Sequence, residues 1–293
     1  MDAAKTPFGQ QTTVEPVAGA PGRYAAVVTD DWNAPVIPQG GIVTSLALRA
    51  MAAEIADSGE SLRSVSTVFA AQVVPGPVEI DVTVLRQGRS MSQATATVRS
   101  AGAAAGHTSI AVFGRERPGF SFTELTMPEV PDPLDCPSFR DDAPDDFDRR
   151  FAPSFWEQVE GRPAIGHAPW DDYEPTTSEK AYWYRFEQWP RLDDGCIDPL
   201  ALVTLCDTMP GAVGERIGPV PEVWFGPSAD LTVHLLGEAR SEWLLGHNRA
   251  RFAGEGYASV DMALWDPDPA IGLVAYGTQM MFFSFPDGPP AGL

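Results

Sequence analysis

Residues 23–114 and 180–284 read as the same succession of elements: a strand, a helix, then four strands. A shift of 158 places Tyr24 on Tyr182, Gly41 on Pro199 and Arg49 on Asp207. A shift of 165 places Thr67-Val68 on Thr232-Val233, and one of 169 places Ile110 on Gln279 and Phe113 on Phe282. The growing offset implies small insertions in the second copy, as at Asp266–Pro269. A duplicated unit predicts two related halves of one assembly rather than two unrelated domains.

Within each copy the pattern is mostly period two. Val78-Glu79-Ile80-Asp81-Val82-Thr83-Val84 alternates apolar and polar side chains, as do Ala94–Arg99 and Thr108–Phe113, with a further strand around Ser64–Val73. The second copy repeats this at Tyr182–Phe186, Asp230–Leu236, Trp243–Arg251, Tyr257–Trp265 and Leu273–Phe285. Ile42, Leu46, Ala50 and Ala53 recur at helical spacing after Pro38-Gln39-Gly40-Gly41, so a helix is expected over Ile42–Ile55. Small residues at Ala47, Ala50, Ala52 and Ala53 would let a sheet wrap closely around it. Asp198 is the expected N-cap and Pro199 the first residue of the second helix, running to about Met209. One antiparallel sheet with a single small-residue helix per unit predicts an α+β fold in which each sheet curls around its helix. Two such units can pair their sheets edge to edge and bury both helices.

Composition bounds what such a chain can do. Of its 293 residues 44% are hydrophobic, enough for a full core. The net charge of -20 argues against a nucleic-acid partner, which needs a basic face. Residues 121–180 hold 15 acids and 5 bases, half of the imbalance. We therefore read residues 1–120 and 180–293 as the two units and 121–179 as an acidic, Pro-rich connection. Its aromatics (Phe147, Phe151, Phe155, Trp156, Trp170, Tyr173) imply that it packs in places. Cys136, Cys196 and Cys206 have no metal-ligand or redox spacing, and no signal peptide or membrane span is evident. A cytoplasmic protein without a metal or cofactor is expected.

Several segments resemble the double-hotdog acyl-CoA thioesterases, the thioesterase II (TesB-like) group. They are Pro38-Gln39-Gly40-Gly41, Val84-Leu85-Arg86-Gln87-Gly88-Arg89-Ser90, Leu205-Cys206-Asp207, Ser228–His234 and Val274-Ala275-Tyr276-Gly277-Thr278-Gln279. The resemblance implies a double hotdog that hydrolyses acyl-CoA to free acid and CoA. It implies a water held by Asp207, Ser228 and Gln279, with Ser standing where family members carry Thr; Thr232 is the fallback hydroxyl. Gly40 and Gly41, at a helix N-terminus of the other copy, are expected to polarise the substrate carbonyl. Opposite Asp207 and Gln279 the first copy has Arg49 and Ile110, so one active site per chain is expected. Arg86, Arg89 and Arg99 suit either the CoA phosphates or a solvated sheet edge. A homo-oligomer, dimer or tetramer, through exposed sheet edges is also expected.

Two other functions fit the same architecture. A hotdog dehydratase or hydratase would need a His with an acidic partner, and neither expected helix contains a His. A non-catalytic acyl-CoA or lipid-binding protein is the reading if Ser228 does not complete the site.

Overall fold

The computed structural model describes residues 3–55, 59–145 and 153–288. The first copy supplies β1 (Glu15–Pro16), β2 (Arg23–Val28), β3 (Ser61–Phe69), β4 (Gly76–Gln87), β5 (Met91–Ser100) and β6 (His107–Gly114). The rest of the chain supplies β7 (Val159–Ile165), β8 (Glu179–Phe186), β9 (Asp230–Leu235), β10 (Leu244–Gly254), β11 (Tyr257–Asp266) and β12 (Gly272–Phe282). They form one sheet of twelve strands in the order β1-β2-β4-β5-β6-β3-β9-β12-β11-β10-β8-β7. The halves meet where β3 pairs antiparallel with β9, Ser66 opposite Thr232. Edge-to-edge pairing thus spares both central edges from solvent.

Two central helices lie against the inner face. α2 (Gly40–Glu54), which follows the short α1 (Pro7–Gln11), starts one residue after Gln39 and buries every residue from Gly41 to Leu48. A helix that is apolar all round belongs inside, and this one packs on β4, β5 and β6. Burial of Ile42, Leu46, Leu48 and Met51 contributes about 1.5–3 kcal/mol each to folding. The short α3 (Phe155–Gln158) precedes α4 (Pro199–Cys206), the central helix of the second copy. Asp198 caps α4, its Oδ1 accepting from the Leu200 N–H at 3.0 Å. α4 ends at Cys206, three residues earlier than expected, with Asp207 as its C-cap. Pro210 disfavours helical geometry at Met209, and a separate helix, α5 (Gly211–Ile217), follows. This is the double-hotdog arrangement, one sheet curled around each central helix.

The register of the repeat corrects the superposition by one residue. Leu62 pairs with Phe113 as Ser228 pairs with Met281. Counting along the strands, Gln279 then corresponds to Ala111 rather than Ile110, and Val233 to Thr67. Ile110 is half exposed on the outer face, whereas Ala111 and Gln279 are buried. A slip of one residue exchanges the two faces of a strand, and the alternating pattern alone did not distinguish these neighbouring registers.

Residues 121–179 do more than connect the halves. β7 is the sheet edge beside β8, and the Trp183 indole N–H donates to the Pro131 carbonyl at 3.0 Å. Phe155 is buried, Trp156 stacks over Tyr184, Trp170 meets the edge of Phe139, and Tyr173 stacks on His167 with ring centroids 3.8 Å apart. Phe147 and Phe151 lie outside the described residues.

Candidate active site

The two central helices bring the ends of the copies together. The Gln39 amide donates to the Thr204 carbonyl of α4 at 2.9 Å, and Ser45 Oγ donates to the Leu200 carbonyl at 3.3 Å. The N-terminus of α2 therefore faces the C-terminal end of α4. A Cβ on Gly41 would stand 2.8 Å from Thr204 Cα, closer than any side chain is tolerated, so this approach requires glycine.

Asp207 occupies that junction. Its Oδ2 accepts from the Gly41 N–H at 2.8 Å. Its Oδ1 accepts from Gln279 Nε2 at 2.6 Å, and the same amide nitrogen donates to Ser228 Oγ at 2.6 Å. The orientation of the Gln279 amide follows from its partner: an ionised carboxylate accepts only, so the NH2 must face it. Gln279 Oε1 then remains buried with no partner. Asp207, Ser228 and Gln279 thus converge from the end of α4, the turn before β9 and the inner face of β12.

Burial pushes the Asp207 carboxyl up to about 6, against the opposing pull of the Gly41 N–H, Gln279, the Gly40 N–H and Ser228. Desolvation outweighs four favourable hydrogen bonds. Asp207 still keeps partial access to solvent, and so does Ser228. A carboxylate with a raised pKa, open to water, beside a helix N-terminus is suited to accept a proton near neutral pH.

Thr232 does not join this group. It lies on the outer face of β9, where its hydroxyl donates to Ser66 Oγ at 3.0 Å. Nor do the Gly40 and Gly41 N–H groups stand clear for a substrate carbonyl alone, since both are directed at Asp207. The arginine group resolves in part: Arg99 pairs with Asp81 and Glu79 on the outer sheet surface.

The pseudo-equivalent position in the first copy is chemically different. Arg49, at the place of Asp207, forms an ion pair with Asp198 at the N-terminus of α4. Leu62 and Ala111 take the places of Ser228 and Gln279. Among the described residues Asp194, Cys196 and Glu238 approach one another within 4.8 Å, but the thiol donates to Glu238 and Arg240 pairs with the same carboxylate. Asp194 and Cys196 precede the N-terminus of α4, whereas Asp207 closes its C-terminus, and the cluster is satisfied by its own contacts. His234 and His247 bring no third ligand; His247 instead meets Glu179.

The fold is thus a double hotdog with a partly buried carboxylate, an amide and a hydroxyl gathered between its copies. Residues 28–114 match the model of the acyl-CoA thioesterase N-terminal domain, and residues 133–283 that of the acyl-CoA thioesterase C-terminal domain. The chain belongs to the acyl-CoA thioesterase family and is a thioesterase. Among solved structures it is similar to a conserved hot dog fold protein of unknown function from Alicyclobacillus acidocaldarius, at 26% identity and a TM-score of 0.77, over 95% of this chain and 98% of that one. It is also similar to a protein assigned as a thioesterase from Novosphingobium aromaticivorans, at 26% identity and a TM-score of 0.71, over 91% and 97% of the two chains. Acyl-CoA thioesterase II TesB2 from Mycobacterium marinum shares the fold at 19% identity and a TM-score of 0.72, over 96% and 100%. No curated protein matches the sequence. Among the described residues no helix is long and apolar enough to cross a membrane.

Proposed function

We propose that this chain hydrolyses acyl-CoA to free fatty acid and CoA with a water held by Asp207, Ser228 and Gln279. The observation that carries the reading is the Gln279 amide, which spends its nitrogen on Asp207 and Ser228 and leaves Oε1 unpaired. A buried acceptor without a donor is costly, and a water between Gln279 Oε1 and the Asp207 carboxylate would satisfy it. Both acceptors orient the same molecule, so its lone pair faces the incoming thioester.

The water oxygen bonds to the acyl carbon as Asp207 takes its proton. Negative charge develops on the carbonyl oxygen beside the positive end of α2. Collapse of the tetrahedral intermediate breaks the C–S bond, and the proton held by Asp207 passes to the departing thiolate. No metal is required for this sequence. Ser228 accepts from the Gln279 amide and completes the cradle of the water; lacking the methyl of Thr, its rotamer is held by the bond to Gln279.

In this reading residues 180–293 carry the reacting groups and residues 1–120 supply scaffold and acyl-binding surface. Three buried free thiols, Cys136, Cys196 and Cys206, support a reducing, cytoplasmic setting. The test is thiol release from a chain-length panel of acyl-CoAs. Asp207→Ala should abolish it, and Arg49→Ala should leave it largely intact. Equal loss in both would sink the single-site model.

A further inference from the structure

The corrected register pairs inward residues of the first copy with their counterparts in the second, and four of these pairs, away from the Asp207 group, are notable. Along β3 and β6, Thr67 corresponds to Val233, His107 to Ala275 and Ser109 to Gly277. On the helices, Thr44 corresponds to Leu202. In each pair the first copy is polar and the second is not. All four polar residues are buried, with relative exposures of 0–6%.

These side chains are contiguous. Thr44 Oγ1 donates to Thr67 Oγ1 at 3.2 Å, and Thr67 and Ser109 share a hydrogen bond of 2.8 Å. His107, two residues before Ser109 on the same face, packs edge-on against Phe69 with ring centroids 4.7 Å apart. Phe69 in turn borders the Asp207 site. Its ring tip lies 2.7 Å from where a Cβ on Gly40 would stand, and Asp207 Oδ2 lies 3.0 Å from the same point. The Phe69 N–H donates to the carbonyl of Ala229, next to Ser228. The Phe69 ring therefore links His107 to the edge of the Asp207 site, with the Thr44, Thr67 and Ser109 hydroxyls on the same inner face.

His107 Nδ1 is buried with no hydrogen-bond partner. Burial pushes its pKa down to about 4, so the ring is neutral near pH 7 and can donate or accept. A buried, unsatisfied ring nitrogen is a poor lining for a hydrocarbon tail. CoA carries phosphates, which are costly to bury, so of the two parts of the substrate the acyl chain is the one suited to this interior.

We propose that this thioesterase acts preferentially on acyl-CoAs whose acyl chain carries a hydroxyl or keto oxygen within a few carbons of the thioester, and that His107 is the residue that hydrogen-bonds to it. The proposal rests on the Asp207 site being where hydrolysis occurs. A pocket built to bond a substrate hydroxyl rejects the analogue without it, because its own polar group is then left unpaired.

The experiment compares kcat/KM for octanoyl-CoA with its 3-hydroxy and 5-hydroxy derivatives, in the wild type and in His107→Ala, the residue found at the counterpart position. The wild type should favour one hydroxylated substrate by about ten-fold or more. His107→Ala should bring that ratio close to one. A wild-type ratio of one or below for both derivatives overturns the proposal, and so does a ratio unchanged in His107→Ala. Should His107→Ala fail to fold, Thr67→Val, again the counterpart residue, decides in its place by the same ratio. Asp207→Asn separates the two readings. Hydrolysis that depends on Asp207 but shows no preference defeats only this proposal. Hydrolysis that survives Asp207→Asn defeats the assignment of the site itself.

Discussion

Asp207→Asn should cost the enzyme its activity and make the fold more stable. The carboxyl moves from 3.8 to about 6 on burial. Each unit corresponds to 1.36 kcal/mol, so the ionised group opposes folding by about 3 kcal/mol at neutral pH. Because this acid binds its proton more tightly in the native state, the native chain holds more protons than the unfolded one between about pH 4 and 6. Stability therefore falls as pH rises through that window and is flat above it. Asn cannot ionise, so its advantage over the wild type should grow from about 1.5 kcal/mol at pH 5 to about 3 kcal/mol at pH 7.5. In Tm the larger figure corresponds to roughly 6 °C for a chain of this size. Urea denaturation at several pH values, with thiol release measured on the same samples, provides the assay. A stability margin that is flat with pH, or a variant that retains wild-type turnover, would refute the reasoning.

The kcat/KM of the wild type should fall below an inflection near pH 6, where the free enzyme protonates Asp207; a profile flat to pH 5 would remove it as the base. Gly41→Ala places a Cβ against Thr204 Cα, which forces α2 and α4 apart. It should destabilise by about 1–3 kcal/mol and lower turnover at least about ten-fold, read by calorimetry and thiol release. Gln279→Glu sets a second carboxyl against Asp207, and since two adjacent carboxylates resist joint ionisation, the pH inflection should move upward. Asp198→Ala removes the cap of α4 and strands Arg49, so a loss of about 1–2 kcal/mol in stability is expected with hydrolysis kept.

The strands and central helices were legible because their patterns are local. Alternation in Val78–Val84 and the small-residue spacing from Ile42 to Ala53 each report a buried face without reference to the rest of the chain. Asp198 with Pro199 announced the start of α4 for the same reason. Asp207, Ser228 and Gln279 could be named from the family resemblance, yet the contact of Asp207 with Gly41 could not. That bond spans 166 residues and depends on how closely two helices approach. Register to a single residue was also beyond reach, since Ile110 and Ala111 are both apolar and only pairing with β3 separates them. His107 stands alone in its strand, and an isolated His carries no local signal; its meaning lies in Ala275, its counterpart.

The Arg49–Asp198 ion pair has a consequence for how a duplicated enzyme divides its labour. A symmetrical pair of identical units must write the same residue at both ends of its helix pair, so a strained acid would appear twice. Fusion into one chain removes that obligation. Here one end of the α2–α4 pair holds an acid whose ionised form weakens the fold, and which the proposed mechanism uses as its base. The other end holds an opposite-charge contact, with its acid also closing the first turn of α4. The two roles are written once each, at opposite ends of the same pair of helices, and each can change without disturbing the other.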